Sequence, residues 1–397
     1  MSQSVDFDRA SSRHESDSIK WQRYSDKDVI PMWIADMDFA APDAVVEALQ
    51  SRVAEGVYGY GVVPDGLVES VCAWYKERYQ WAIEPSWLVW LPGLVSGLHA
   101  VTQTFGEPGS GVITHTPVYP PFLKVAERCG KRLDAVPMLL EPGVNPNRGE
   151  SEAAIGEKDK SWRLDLDRMQ QAVQEDSRLL MFCNPHNPTG RVFRRDELKQ
   201  VADFCLKNNL LICSDEIHCD LVLEPDLQHI PIASLSPEIA QQSITLLAPS
   251  KTFNIAGLGC SIAVIPNAGL REQFKQSIQG LMPGVNILGY VAAKAAYDDG
   301  GPWLEQLLDY LQQNRTILAD WVAGHQRLSM TVPEATYLGW IDFRDYGQEL
   351  PAKWLLKEAG VALSEGADFG LPGFARINFG CPAEQLRQAL ERLDRVL

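Results

Sequence analysis

Short apolar runs alternate with longer amphipathic stretches through the middle of the chain. The runs 111–115, 178–183, 210–214 and 243–248 carry few polar residues and read as strands buried on both faces. Between two of them, 196–208 sets Leu198, Val201, Ala202 and Cys205 at three- and four-residue spacing behind an acidic first turn. That is a helix start and one helical face. Strand, helix and strand in this rhythm predict an α/β unit around a mainly parallel sheet. The last hundred residues change character: a helical pattern over 303–326, a strand-like 337–343 and a final helix from Pro382 predict a smaller α+β layer. The first forty residues have too few periodic apolar positions to fold alone. The expected division is therefore an N-terminal segment, 1–45, packing with the small domain, a large domain, 46–290, and a small C-terminal domain, 291–397. One stretch, 141–160, reads EPGVNPNRGESEAAIGEKDK and is expected to be a surface excursion.

Charge and composition narrow the function. Lys and Arg number 36 against 52 Asp and Glu, a net charge of −16, which repels phosphate backbones and anionic lipid, so nucleic acid is not an expected partner. No apolar run approaches the ~18 residues of a membrane span, and the charged first thirty residues contain no signal-peptide core. A soluble, cytoplasmic protein is the expectation. Its eight cysteines are scattered without a Cys-x-x-Cys pair or zinc-finger histidines, so they read as reduced core thiols, with no metal site.

Three loops follow three of the predicted strands, at the ends where open α/β sheets bind ligands. Asn184-Pro185-His186-Asn187-Pro188-Thr189-Gly190 places two carboxamides on a rigid turn. Ser214-Asp215-Glu216-Ile217-His218 puts acids at the end of a buried strand, where a carboxylate needs a cation. Pro249-Ser250-Lys251-Thr252-Phe253-Asn254 sets a lysine among apolar neighbours, suited to Schiff-base chemistry. Singly, each has a plain structural explanation as a turn, an ion pair or surface decoration. Together, an amide donor, a strand-end acid and a strand-end lysine are what a pyridoxal phosphate site requires.

These loops, with Met32-Trp33-Ile34-Ala35-Asp36-Met37-Asp38-Phe39 near the start and Arg376-Ile377-Asn378-Phe379-Gly380 near the end, carry a resemblance over almost the whole chain. The sequence resembles fold-type I pyridoxal phosphate enzymes of the aminotransferase class I/II superfamily, and within it the cystathionine β-lyase-like C–S lyases of the MalY/PatB group. The resemblance implies a large domain with a mainly parallel, seven-stranded type of sheet. It also implies that Lys251 holds the cofactor aldehyde, Asp215 its pyridine nitrogen and Asn187 its phenolic oxygen, with Tyr119 stacked on the ring. The phosphate would lie against the amides of Leu94 and Val95 in Pro92-Gly93-Leu94-Val95-Ser96-Gly97, with the Ser250 hydroxyl beside it. Arg376 would grip the substrate α-carboxylate, near the backbone of Ala35. Tyr60, in Tyr58-Gly59-Tyr60-Gly61, resembles a tyrosine lent to the neighbouring subunit's site, which implies a homodimer. Asp36 and Asp38 read as turn acids outside the site.

Two departures from the general aminotransferase pattern bear on the reaction. His218 stands where those enzymes have a tyrosine supporting the cofactor, as it does in the C–S lyase group. Gly259 stands eight residues after the lysine, where many aminotransferases have a phosphate-binding arginine. The expected reaction is β-elimination: an amino acid with sulfur on Cβ, such as cystathionine, cysteine or an S-substituted cysteine, gives a thiol, pyruvate and ammonia. The alternative is an aminotransferase acting on an amino acid and a 2-oxo acid. A pyridoxal-binding scaffold without catalysis is the alternative from another class.

Overall fold

The computed structural model describes residues 5–9, 13, 15–24, 28–142 and 160–397. Seven strands form its main sheet: β1 Leu88–Leu91, β2 Gly111–Thr116, β3 Arg132–Pro137, β4 Ser177–Cys183, β5 Leu211–Asp215, β6 Ser243–Leu247 and β7 Ser261–Val264. Their spatial order is β1-β7-β6-β5-β4-β2-β3. The run from β6 to β3 is parallel, and β7 alone runs antiparallel to its two neighbours.

The apolar runs belong in such a sheet because both of its faces are covered. Leu179, Met181 and Cys183 of β4 point into a cluster with Leu98, Val101, Phe122 and Val125, from helices α1 (Leu94–Thr104) and α2 (Pro120–Arg128). Leu180 and Phe182 point the other way, onto Leu198, Val201 and Phe204 of helix α3 (Arg195–Lys207). A fully buried side chain such as Phe182 contributes on the order of 3 kcal/mol there, so this alternation fixes the strand register.

The four predicted strands and the 196–208 helix are all present, shifted at their ends by one residue or so. The C-terminal layer holds helix α4 (Gly301–Ala323), which stops before Gly324, and an antiparallel sheet of β8 Ser329–Met330, β9 Leu338–Asp342, β10 Ser364–Glu365 and β11 Phe374–Asn378 in the order β8-β9-β11-β10. Helix α5 (Ala383–Asp394) closes the chain, entered through Pro382. The N-terminal segment attaches to this layer: Ile30–Pro31 pairs in parallel with Val361–Ala362, and the Asn378 amide donates to the Met32 carbonyl at 2.9 Å. Of the proposed 141–160 excursion, 143–159 lie outside the described residues. Its flanks, Leu139–Pro142 and Lys160–Arg163, pair as antiparallel strands.

All eight cysteines are free, six of them buried, as core thiols. Among the described residues no helix is long and apolar enough to cross a membrane.

Candidate active site

Because β4, β5 and β6 are parallel neighbours, the loops after them leave the sheet at one edge. The register sets Cys183 beside Asp215 and Asp215 beside Leu246, so the amide, acid and lysine loops lie side by side. Asp215 is only 3% exposed, and its Oδ1 accepts from the Ile217 amide at 3.1 Å. No cationic side chain forms an ion pair with it among the described residues. Burial accordingly raises its pKa to about 7, with Glu216 adding to the rise and the Ile217 amide and Lys251 opposing it.

Lys251 projects toward the N-terminal loop, where its Nζ donates to the Ala35 carbonyl. Burial lowers its pKa to about 8; Asp36 and Asp215 oppose that shift and Arg376 reinforces it. A lysine held there carries a substantial neutral fraction at physiological pH, the form that attacks an aldehyde.

Arg376 comes from β11 and is 4% exposed. Its Nη1 donates to Asn187 Oδ1 at 2.9 Å, and its Nη2 donates to the Trp33 carbonyl at 2.9 Å and Ser364 Oγ at 3.2 Å. Its Nε has no partner, and no carboxylate pairs with it among the described residues. Burial brings even this guanidinium down to about 10, against the opposing effect of Tyr119 and Tyr337. The group is therefore no surface salt bridge: it is buried, and its hydrogen-bond acceptors among the described residues are all neutral.

With Asn187 Oδ1 engaged by Arg376, its two amide hydrogens remain for a separate acceptor. Tyr119, the residue before α2, is partly buried; burial raises the pKa of its hydroxyl, with Arg376 opposing the rise and Asp215 adding to it. Leu94 and Val95 open α1; the first helical bond there is Gly97 N–H to the Gly93 carbonyl, so the amides of Leu94 and Val95 have no helical acceptor. Ser250 stands next to Lys251 and its hydroxyl is unengaged among the described residues. His218 is 3% exposed with Nδ1 unpartnered; burial, Lys251 and Arg376 push it down to about 3, so it is neutral at pH 7.

Gly259 has φ +59°, and a Cβ there would stand 2.7 Å from the Pro92 carbonyl oxygen. An arginine does not fit that backbone, which gives the departure noted in the sequence a steric cause. Tyr60 is not brought to the other residues: its side chain is fully exposed.

Several site residues escaped the sequence reading. Tyr337, just before β9, is fully buried and donates to the Ala35 carbonyl at 3.1 Å. Asn378 Nδ2 donates to the carbonyls of Ile34 and Asp36, both at 2.6 Å. Asn254, three residues past Lys251 and at φ +54°, bonds Met37 and Phe39. Asp36 and Asp38 are not merely turn acids: they pair with Arg13 and Lys20, and Asp38 is 2% exposed. Two acids set among apolar residues at 33–38 are the available signal, but their partners lie in a segment without periodic pattern.

The buried, unpaired Asp215 suits a cationic ring nitrogen. Free amides at a helix start suit a phosphate, and the Asn187 amide suits a phenolic oxygen. An α/β fold that presents these groups with a low-pKa lysine defines a pyridoxal phosphate-dependent enzyme of fold type I. The chain belongs to the aminotransferase class I and II family, whose sequence model matches residues 27–393. It is 36% identical to cystathionine beta-lyase PatB of Bacillus subtilis over 99% of this chain and 100% of that one. The crystal structure of OvoB is similar at TM-score 0.92, with 46% identity and 99% of both chains covered. Cystalysin from Treponema denticola, whose structure contains pyridoxal 5'-phosphate, is similar at TM-score 0.89 and 32% identity over 98% of each chain. The motif-based resemblance to the PatB-like group is thus borne out, as are the fold and the cofactor.

Proposed function

We propose that this chain is a C–S β-lyase acting on amino acids with sulfur on Cβ, releasing a thiol, pyruvate and ammonia. The observation that carries the reading is Arg376: a buried guanidinium with no carboxylate partner among the described residues, close enough to Lys251 for its charge to lower that lysine's pKa, is built for a substrate α-carboxylate. The relatives named as cystathionine β-lyases support elimination over transamination.

Pyridoxal phosphate, when bound, supplies the electron sink for the pair left at the substrate Cα. Every other task falls to the protein. Asp215 becomes a full carboxylate beside a cationic ring nitrogen, since an adjacent positive charge lowers its pKa. Asn187 donates its amide to the phenolic oxygen while its Oδ1 holds Arg376, so the cofactor end and the substrate end share one side chain. Leu94, Val95 and Ser250 receive the phosphate, and Tyr119 covers the ring. Arg376 and the 33–38 backbone orient the amino acid so that its Cα–H faces Lys251, whose amine takes that proton. The Cβ–S bond then breaks, the thiolate leaves and takes up a proton, and the released enamine hydrolyses to pyruvate and ammonia. His218, neutral throughout the working range, packs edge-on to Tyr337 at 6.2 Å and serves as a wall.

The functional unit in this reading is a cytoplasmic homodimer. Val57, Tyr58, Tyr60 and Val62 form an exposed apolar loop, a face that a second copy would cover while Tyr60 reaches the neighbouring site. The division at 1–45, 46–290 and 291–397 belongs to the same reading, supported by the strand pairing between residues 30–31 and 361–362.

The test is incubation of the holoenzyme with L-cystathionine or L-cysteine without a keto acid, with assay of pyruvate and of thiol or sulfide. Sustained stoichiometric pyruvate is expected. Product that appears only once a keto acid is added, as a new amino acid, would make the enzyme an aminotransferase instead.

A further inference from the structure

The loop 33–38 is held on three sides, and two of them belong to the site. Asn254 grips it from the lysine loop and Asn378 from the arginine strand. The third side is an ionic lattice from the N-terminal segment. Lys20, fully buried, places its Nζ 2.7 Å from Asp38 Oδ2 and 3.3 Å from the Asp36 carbonyl. Arg13 reaches Asp36 at 2.7 Å and Asp38 at 2.9 Å. Trp21 and Gln385 add hydrogen bonds to Asp38 at 3.1 and 3.0 Å, and the Trp33 indole donates back to the Lys20 carbonyl.

The far face of the same six residues does the holding at the site. The Trp33 carbonyl orients Arg376, and the Ala35 carbonyl accepts from both Lys251 and Tyr337. Burying a lysine with an aspartate is costly in desolvation and is no efficient way to add stability. What such a lattice provides is geometric definition, because two fixed cations leave two carboxylates one arrangement.

We propose that Lys20 and Arg13 are positioning residues of the amino acid site, acting as a strap that fixes the 33–38 loop so that its carbonyls aim Arg376 and Lys251. The proposal rests on the assignment of Arg376 to the substrate carboxylate. Loosening the strap lets the loop shift, so substrate orientation suffers while Asp215, Asn187 and the Leu94 and Val95 amides, which make no hydrogen bond to the loop, keep their geometry.

The variants are Lys20→Met, Arg13→Gln and, as the conservative rescue, Arg13→Lys. Binding is read by titrating the bound cofactor's absorbance with L-alanine, which has no leaving group on Cβ; hydrogen exchange of 33–38 is read on the cofactor-free chain. Lys20→Met and Arg13→Gln should weaken L-alanine about tenfold, the loss of one charge-assisted contact, raise KM similarly with kcat within about twofold, and speed exchange of the loop. Cofactor affinity should hold, and Arg13→Lys should recover most of the loss. Unchanged affinity and exchange in both charge-removal variants would overturn the proposal, even with lowered thermal midpoints. Should Lys20→Met fail to fold, Arg13→Gln decides alone. A wild-type protein that binds the cofactor yet never responds to amino acids would sink the functional assignment instead, and loop exchange still judges the strap.

Discussion

The two ends of the site mirror each other. Among the described residues, Asp215 at the strand ends is a buried acid without a cation, and Arg376 on β11 is a buried cation without an anion. Each group is pushed by burial toward neutrality, the acid up to about 7 and the guanidinium down to about 10. A buried unpaired charge is expensive, and in the proposed function the pairing comes from two different molecules: the ring nitrogen for the acid and the substrate carboxylate for the arginine. Asn187 joins the ends, giving one atom to each.

The comparison breaks most visibly at the cofactor end. Asp215→Ala should lower kcat on the order of 10²-fold or more, since the ring nitrogen then loses the anion that keeps it protonated, while KM for the amino acid moves little. Steady-state kinetics with saturating cofactor check this. Wild-type kcat would remove Asp215 from its role.

The substrate end should break differently. Arg376→Lys keeps a charge but loses the planar fork, so KM should rise about tenfold to a hundredfold, with a smaller change in kcat and intact cofactor binding. A change in cofactor affinity larger than the change in KM would show that Arg376 acts through Asn187 and not on substrate.

The same contrast governs what the sequence could say. At the cofactor end every side chain sits within a few residues of a strand end, so Asn187, Asp215 and Lys251 stood in short motifs behind apolar runs. The substrate end is assembled from Trp33, Tyr337, Ser364 and Arg376, and three of its hydrogen bonds end on the backbone carbonyls of Trp33 and Ala35. Carbonyls have no sequence signature, and Tyr337 looked like any aromatic residue at the start of a strand. Asp36 and Asp38 looked like turn acids because Arg13 and Lys20 lie in a segment without periodic pattern, and only tertiary structure brings them together. The helices and strands were legible because burial on both sheet faces writes continuous apolar runs. Gly259 was noticed only as a departure; its cause, the close approach of the Pro92 carbonyl, is a tertiary contact.

The remaining effect concerns stability without cofactor. Asp215 has its folded pKa raised from 3.8 to about 7, so between those values the folded state binds more protons than the unfolded one, and stability falls as pH rises through the window. The group costs nothing below pH 4 and its full penalty, a few kcal/mol, above pH 7. Lys251, lowered from 10.5 to about 8, acts the other way: stability returns as pH rises from 8 toward 10.5. Arg376, at about 10, titrates well above the window between pH 4 and 7, so the asymmetry between the two ends becomes measurable there. In urea unfolding of the cofactor-free protein, Asp215→Asn should abolish most of the decline between pH 4 and 7, while Arg376→Lys leaves it in place. Bound cofactor should flatten the same window in the wild type, because the ring nitrogen restores the charged carboxylate. A decline that survives in Asp215→Asn would mean that another acid carries it, and that the cofactor end is not the mirror image of the substrate end.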